Sequence, residues 1–325
     1  MRLGRNSGGS PVAQLGRNVV ASHPRIGFVG LGNMGGPMCQ RLSKAGYAVT
    51  AFDLNSSALE RAVEAGAQAA ASAQECAAQS EIFMTSLPRP DHVEAVMSGE
   101  SGALRSLKSG SLWIDLTTNR KELVARLASE APAGVSVIDS PVTGAVDGAR
   151  NGKLTLFAGG DQGSFERASP VLSHLGTVIH CGALGTGNVV KLVTNQLWFI
   201  AAAAIGEGFA TGIANGVELG TLWHAIRNSV GDSFVAQHDA PSIFAGHYDP
   251  SFSLDLCLKD LRLIQELNGN VRAALPMTVA AEGAFAVAAS RYGAGAAELH
   301  VAKRIEDDAG LSMRLEGDWT PPWEQ

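Results

Sequence analysis

A lysine and an asparagine interrupt an otherwise apolar segment in the second half of the chain. The segment GTGNVVKLVTNQLWFIAAAAIGEG, residues 185–208, is typical of a helix that opens in glycine, and it contains Lys191 and Asn195. Because these residues are four apart, they project from nearly the same face, one turn above the other. Burial lowers the pKa of an amine towards neutral pH, which suits it to proton transfer. The alternative is an ordinary amphipathic helix whose lysine reaches solvent.

A glycine-rich turn near the start of the chain predicts a dinucleotide site. The segment GFVGLGNMGGPM places the pattern G-x-G-x-x-G directly after a predicted strand and at the start of a predicted helix. Glycines allow a tight turn and a close approach of the backbone to a pyrophosphate, and the free amides of a helix N-terminus favour an anion. The residues predicted to contact the cofactor here are Gly30, Leu31, Gly32, Asn33, Met34 and Gly35.

An acidic residue after the second predicted strand indicates which dinucleotide is bound. Asp53 lies 53 − 32 = 21 residues beyond the middle glycine, where a carboxylate accepts hydrogen bonds from the adenosine ribose. It would repel a 2'-phosphate, and no arginine follows at once to hold one. The sequence therefore predicts NAD, with NADP less favoured.

Two further turns are predicted at the same edge of the sheet. TSLPRP and DLTTN each follow a predicted strand and contribute Leu87, Pro88 and Thr118 to the predicted cofactor site. Ligands of open α/β sheets bind outside the carboxyl ends of the strands, although ordinary strand-to-helix turns are the alternative.

The elements that must position these residues follow from the hydrophobic pattern. The runs RIGFV, AVTAF, EIFMTS, SLWID and SVIDS lack strict alternation, as expected of strands buried on both faces of a parallel sheet. Helix-like segments at 33–45 and 57–65 each end at a glycine. KLTLFAGG and TVIH add two more strands, and only helical patterns follow Gly185.

The predicted fold class is α/β, with an N-terminal doubly wound Rossmann-type domain followed by an all-α C-terminal domain. The dinucleotide-binding domain is predicted over residues 25–185, and the helical substrate and oligomerisation domain over 186–325. Residues 1–24 have no helical or strand periodicity and are interpreted as a mobile extension. A targeting segment, a misassigned start or a tag remnant are the alternatives for them.

Composition excludes several classes of function. A chain of 325 residues with 46% hydrophobic and 17% charged residues is typical of a soluble globular protein, and its net charge of −6 gives no electrostatic reason to bind nucleic acid or an acidic membrane. The longest uninterrupted apolar run, 197–205, is about half of the roughly 20 residues that a membrane span needs. The cysteines have no metal-ligand spacing, so we expect no metal site, a reducing compartment and a cytoplasmic protein. They are Cys39, Cys76, Cys181 and Cys257.

Four motifs in order resemble the β-hydroxyacid dehydrogenases, the family of 3-hydroxyisobutyrate dehydrogenase and tartronate semialdehyde reductase. The resemblance runs from Arg25 to about Lys303. The motifs are GFVGLGNMGGPM, DSPVTGAVDGARNGKLTLFAGG, GTGNVVKLVTNQ and KDLRL.

This resemblance implies a role for each motif. Lys191 is the implied catalytic acid/base, and Asn195 helps to hold the substrate. The turn Thr143-Gly144-Ala145 binds the substrate carboxylate, and Lys259 closes over cofactor and substrate. The implied reaction is hydride transfer between NAD and a small 3-hydroxy acid or its semialdehyde, by a homodimer or homotetramer.

Departures from the family pattern leave the substrate open. Thr143 replaces the usual serine, Ala145 replaces a glycine, Gln196 stands where a second asparagine is common, and AELHVAKRIED replaces the usual Asp-x-Ser-Ala. Some side chains could line a larger substrate pocket or belong to the core: Trp198, Phe199 and His300. The alternatives for function are an NADPH-dependent reductase of small aldehydes, ketones or imines, a non-catalytic nucleotide-binding module, and a methyltransferase with a similar turn.

Overall fold

A single mixed sheet organises the first half of the chain. The computed structural model describes residues 23–317 and Trp319, so all but the last two residues of the predicted mobile extension lie outside the described residues. The strands are β1 Ile26–Val29, β2 Val49–Phe52, β3 Gln68–Ala69, β4 Ile82–Thr85, β5 Leu112–Asp115, β6 Ser136–Asp139, β7 Val142–Thr143, β8 Leu154–Gly159 and β9 Gly176–Gly182.

The strand order confirms the doubly wound topology. The sheet runs β3-β2-β1-β4-β5-β6-β8-β7, with β9 paired to β8. The six strands from β3 to β6 are parallel, whereas β8 runs antiparallel to β6 and β7 and parallel to β9. Strands β3 and β7 were not predicted, because two residues are too few to show a periodicity.

Helices cover both faces of this sheet and form the second half of the described chain. Around the sheet they are α1 Gly35–Lys44, α2 Ser56–Glu64, α3 Ala73–Gln79, α4 Pro90–Met97, α5 Lys121–Glu130, α6 Ala145–Asn151 and α7 Gln162–Leu172, with a 3₁₀ turn at Ala103–Ser106. Beyond the sheet they are α8 Thr186–Ala214, α9 Leu219–Arg227, a π-helical turn at Val235–Asp239, α10 Ala240–Ala245, α11 Leu254–Asn268, α12 Pro276–Tyr292 and α13 His300–Ala309. The predicted change to helix after residue 185 is confirmed, while the division into domains there stays a prediction.

Helix α8 joins the two halves and is unusually apolar. Its 29 residues include an 18-residue window with a mean hydropathy of 1.5, enough in length and composition to cross a membrane, and 28% of that window is buried. The expectation that the chain does not cross a membrane rests on the shorter run 197–205, and it stays a prediction. On the outside of α8, Val193 and Leu197 are 47% and 65% exposed. One copy of the chain therefore leaves an apolar face of α8 uncovered.

Polar contacts join the carboxyl edge of the sheet to the helices of the second half, and we call the region between them the cleft. Arg89 pairs with Asp255, and the Arg120 Nε donates to Glu266 Oε2 at 2.7 Å. Both arginines precede helices at the carboxyl edge of the sheet, and both carboxylates lie on α11. These pairs hold α11 over the edge where the cofactor residues were predicted.

Candidate active site

Two of the three motif glycines in the first turn are required, because a side chain there would clash with neighbouring backbone, and the third leaves an open backbone surface. A Cβ on Gly30, whose φ is +93°, would lie 2.2 Å from the Ser86 carbonyl oxygen. A Cβ on Gly35 would lie 1.9 Å from the Gly30 carbonyl oxygen, whereas one on Gly32 would meet no atom within 4 Å. The outer two glycines thus close the turn and the middle one faces open space. This cradle fits a dinucleotide pyrophosphate above the N-terminus of α1.

Asp53, the predicted ribose contact, also supports this turn. Its Oδ2 accepts a hydrogen bond from the Leu31 N–H at 2.5 Å, and its Oδ1 accepts from the Asn55 N–H at 2.7 Å. The sequence pattern indicated the ribose contact but not this support, which depends on β2 lying beside β1. Substitution of Asp53 therefore affects both cofactor preference and the shape of the turn.

The other predicted cofactor residues lie along the same edge. Leu87 follows β4, and its N–H donates to the Thr117 Oγ1 at 3.0 Å, which ties the turns after β4 and β5 together. Pro88 and Thr118 lie in those two turns. On the other side, the Asn33 Nδ2 donates to the Ser251 carbonyl oxygen at 3.4 Å, across the cleft.

A buried carboxylate fixes the start of α8 against the sheet. Asp139, at the end of β6, is fully buried; its Oδ1 accepts from the Gly185 N–H at 2.6 Å, and its Oδ2 accepts from the Asn188 N–H at 2.6 Å and the Asn188 Nδ2 at 3.0 Å. A Cβ on Gly187 would lie 2.1 Å from the Phe157 carbonyl oxygen, so only glycine allows this approach. The motif GTGN thus positions the helix that carries the lysine. Burial raises the pKa of Asp139 to about 6, while its backbone donors lower it.

Three of the predicted site residues on α8 and α11 meet around a buried aspartate. Lys191 is 8% exposed, and burial lowers its pKa to about 8; Asp260 opposes this shift and Lys259 adds to it. The Asn195 Nδ2 donates to Asp260 Oδ2 at 2.8 Å, and the Lys259 Nζ lies 2.8 Å from Asp260 Oδ1. The structure therefore brings Lys191, Asn195 and Lys259 together around Asp260.

Among residues 23–317, no hydrogen bond or ion pair holds the Lys191 ammonium, so this group is available to a ligand. Asp260, only 1% exposed, was missed by the sequence analysis. The feature of the sequence that could have identified Asp260 is its place in the motif KDLRL, directly after Lys259.

A second buried acid influences the lysine. Glu298 precedes α13 and is 6% exposed. Burial raises its pKa well above the ordinary value, and the neighbouring charges of Asp249 and Asp239 add to this, while Lys191 opposes it. Glu298 belongs to the segment AELHVAKRIED, which the sequence analysis noted only as a departure from the family pattern.

The predicted carboxylate-binding turn has an unusual backbone. Gly144 has φ +121° and Ala145 has φ +55°, between the end of β7 and the start of α6. Left-handed backbone costs a residue with a Cβ about 1 kcal/mol, so Ala145 stores strain here. Strain of this kind persists at positions that the surrounding fold determines strongly.

A line of polar contacts connects this turn to α8. Asp147, on α6, has its Oδ2 3.8 Å from the His238 Nε2. The His238 Nδ1 lies 2.8 Å from Asp239 Oδ1, and Asp239 Oδ2 accepts from the Trp198 Nε1 at 2.8 Å. Trp198 lies seven residues after Lys191, so the two project from similar faces of α8. We call Asp147, His238, Asp239 and Trp198 the polar arc.

The remaining candidates for the pocket have different environments. Phe199 is fully buried and packs against Phe285 with ring centroids 5.3 Å apart, so it belongs to the helical core. His300 packs between Tyr248 and Tyr292, at 4.9 and 5.0 Å, and its Nδ1 lies 2.9 Å from the Ala297 carbonyl oxygen. Of the three, only Trp198 contributes to the polar arc.

Two family models together match most of the chain. The model described as the NAD binding domain of 6-phosphogluconate dehydrogenase matches residues 25–185, and the model described as NAD-binding of NADP-dependent 3-hydroxyisobutyrate dehydrogenase matches residues 185–305.

Relatives and a solved structure agree with these models. The chain is 36% identical to 2-(hydroxymethyl)glutarate dehydrogenase of Eubacterium barkeri over 264 residues, covering 80% of this chain and 88% of the relative. It is 36% identical to 3-hydroxyisobutyrate dehydrogenase of Pseudomonas aeruginosa over 273 residues, covering 81% and 91%. A structure of Mycobacterium tuberculosis 3-hydroxyisobutyrate dehydrogenase with L-serine has a TM-score of 0.79 and 29% identity, covering 87% of this chain and 99% of that one.

Proposed function

The chain belongs to the NAD(P)-dependent β-hydroxyacid dehydrogenase family, and we propose that it transfers a hydride between NAD and a small 3-hydroxy acid or its semialdehyde, with Lys191 as the general acid/base. The observation that carries this proposal is a buried lysine without a protein partner among the described residues, one turn before Asn195 and across the cleft from the glycine cradle. Its test is turnover of a panel of 3-hydroxy acids with NAD⁺, followed by the absorbance of the reduced cofactor.

Each group in the cleft has a separate task in this reaction. The turn at 30–35 would hold the dinucleotide, which would supply the hydride acceptor for oxidation and the hydride donor for reduction. The neutral amine of Lys191 removes the hydroxyl proton during oxidation, and its ammonium donates that proton during reduction. Asp260 holds the amide of Asn195 by a 2.8 Å bond, which positions Asn195 towards the substrate. The backbone amides of the 143–145 turn bind the carboxylate.

The proposed preference for NAD depends on the charge of Asp53. An ionised carboxylate after β2 repels a 2'-phosphate and accepts hydrogen bonds from ribose hydroxyls. Among the described residues of this turn, the next positions are Leu54 and Asn55, so no cation is supplied for a phosphate.

Substituting Asp53 should move the cofactor preference towards NADP. In Asp53→Ser we expect the ratio of kcat/KM with NADP⁺ to that with NAD⁺ to rise about 10- to 100-fold, the worth of a charge-assisted hydrogen bond. Asp53→Asn is the matched control, since its side-chain oxygen can still accept from the Leu31 N–H while the charge is lost. A similar rise in both variants assigns the effect to charge. Wild-type protein that turns over NADP⁺ better than NAD⁺ would contradict the proposal.

The exposed face of α8 supports a proposed homo-oligomer. Val193 and Leu197 are exposed on α8, and Met277, Val279 and Val287 are 60%, 59% and 52% exposed on α12, which packs beside it. A second copy would remove this apolar surface from water, which is favourable by about 25 cal/mol per Å². We propose a dimer or tetramer, located in the cytoplasm, where the free thiols of the described cysteines would remain reduced.

Placing a charge on this face should dissociate the oligomer. We expect Leu197→Asp to shift the mass measured by light scattering to that of one chain, because burying an unpaired carboxylate costs several kcal/mol. Val230→Asp, at a fully exposed position outside α8, is the control and should keep the wild-type mass. A monomeric wild type, or a Leu197→Asp variant of unchanged mass, would exclude this interface. Co-sedimentation of wild type with phosphatidylcholine vesicles would assign the face to a membrane instead.

A further inference from the structure

The polar arc contains a buried oxygen atom that lacks a hydrogen-bond donor. The Oδ1 of Asp147 is inaccessible to water and accepts no hydrogen bond from the described residues. Its other oxygen faces the His238 Nε2 at 3.8 Å. Leaving a buried acceptor unpaired is unfavourable, so a ligand donor that approaches the carboxylate, whose side chain is 26% exposed, would be favoured.

His238 faces this carboxylate from the helical half of the chain. It lies in the π-helical turn at 235–239, a rare conformation that is frequent at functional sites. The ring stacks on Phe234 at 4.6 Å, and its Nδ1 is bound to Asp239. The hydrogen bond to Asp239 raises the pKa of His238, and the charges of Asp239, Asp147 and Asp249 act in the same direction. His238 is therefore a fixed neighbour of Asp147 that keeps its proton to a higher pH than a free imidazole does.

The position of Asp147 relates it to the substrate rather than to the cofactor. It lies two residues after Ala145, on the helix that begins at the proposed carboxylate-binding turn. The other end of the polar arc is Trp198, on the helix that carries Lys191. A small 3-hydroxy acid has a carboxylate, a reacting carbinol and one carbon between them. With the carboxylate at the turn and the carbinol at Lys191, the substituent on the middle carbon is the part left to meet the arc.

We propose that Asp147 binds the substituent on this middle carbon and selects a hydrogen-bond donor there, hydroxyl or ammonium, over a methyl group. The proposal rests on the proposed function and names its substrate class: 3-hydroxy acids with a polar 2-substituent. A donor pairs the Asp147 carboxylate, whose side chain is 26% exposed, whereas a methyl group supplies no donor. His238 is a positioning residue, because it acts on the substituent through Asp147.

Four acids that differ only at this carbon test the selection. They are serine with an ammonium, glycerate with a hydroxyl, 3-hydroxyisobutyrate with a methyl, and 3-hydroxypropionate with hydrogen. We expect wild-type kcat/KM for the better of serine and glycerate to exceed that for 3-hydroxyisobutyrate by about 10- to 100-fold, the value of one charge-assisted hydrogen bond. In Asp147→Ala this ratio should fall to near one.

Variants separate the charge of Asp147 from its hydrogen bond. Asp147→Asn keeps an acceptor without the charge, so a preference for serine should weaken more than a preference for glycerate. His238→Gln should raise KM for the preferred acid more than it lowers kcat, since the reacting groups stay in place. Asp91→Asn, at an exposed position on α4, is the control and should keep the wild-type ratio.

Each result decides between the two proposals. Equal or better turnover of 3-hydroxyisobutyrate by wild type, or an unchanged ratio in Asp147→Ala, overturns the selection by Asp147 while leaving the dehydrogenase in place. Absence of turnover with all four acids, in protein shown by calorimetry to be folded, overturns the proposed function itself. Thermal unfolding of each variant, compared with wild type, separates a lost ratio from a lost fold.

Discussion

Replacing Lys191 by alanine should reduce turnover by about 100- to 10,000-fold, the usual contribution of a positioned proton-transfer group. Affinity for NAD should stay nearly intact, because the proposed pyrophosphate contacts come from the turn at 30–35, on the other side of the cleft. Cofactor affinity by fluorescence titration and kcat/KM by absorbance measure the two effects separately. The loss should therefore fall on the reaction and spare cofactor binding.

The pH dependence gives a second, independent test of the lysine. Burial lowers the pKa of Lys191 to about 8, so the neutral amine needed for oxidation forms as the pH rises through about 8. Oxidation should rise to a plateau above that pH, while reduction, which needs the ammonium, should fall. Asp260 raises this pKa, so Asp260→Asn should move both transitions to lower pH.

Lys191→Arg is the matched control for charge. A guanidinium keeps the positive charge but does not release its proton near neutral pH, so this variant should lose almost as much turnover as Lys191→Ala. If either variant kept more than about a tenth of wild-type turnover with an unchanged pH profile, another group would have to move the proton. Lys191 would then be a structural residue of α8.

The parts of the site that follow a local pattern could be predicted from sequence. Only part of the glycine cradle depends on neighbouring residues: a Cβ on Gly35 would meet the Gly30 carbonyl oxygen of the same strand-turn-helix unit, whereas one on Gly30 would meet the Ser86 carbonyl oxygen after β4. Lys191 and Asn195 are one turn apart on one helix, so their common face follows from helical geometry. The buried strands were recognisable because both of their faces are covered.

Contacts between distant segments could not be predicted from such patterns. Asp260 lies in a motif that the sequence analysis quoted, but its bond to Asn195 joins residues 65 apart. The polar arc is even harder to predict from sequence, since Asp147 lies on α6 and His238 lies in the distant π-helical turn. Neither belongs to a periodic pattern, and a lone histidine is usually structural. Only the tertiary fold brings these two side chains to within 3.8 Å of each other.

Removing the Asp139 carboxylate, which fixes the start of α8, should have the second large effect, on the stability of the fold. Asp139→Ala should lower the free energy of unfolding by about 3–5 kcal/mol, because three buried N–H donors lose their acceptor at once. This corresponds to a fall in Tm of roughly 10 °C, measured by calorimetry at pH 8, where the carboxylate of the wild type is ionised. Asp139→Asn should give an intermediate value, since an amide keeps one acceptor oxygen but places an NH₂ group against a donor.

A matched control distinguishes this buried cap from an ordinary one. Asp161 caps α7 by accepting from the Ser164 N–H at 3.0 Å, but it is exposed, so Asp161→Ala should cost only about 1 kcal/mol. Asp139→Ala should in addition lower kcat/KM, because the helix that carries Lys191 loses its attachment to β6, and a displacement of 1 Å can cost a factor of about 100 in rate. Asp161→Ala should keep wild-type kinetics. Equal losses of stability in the two variants would show that the start of α8 is held by its packing against the sheet, and that Asp139 adds no more than an exposed cap does.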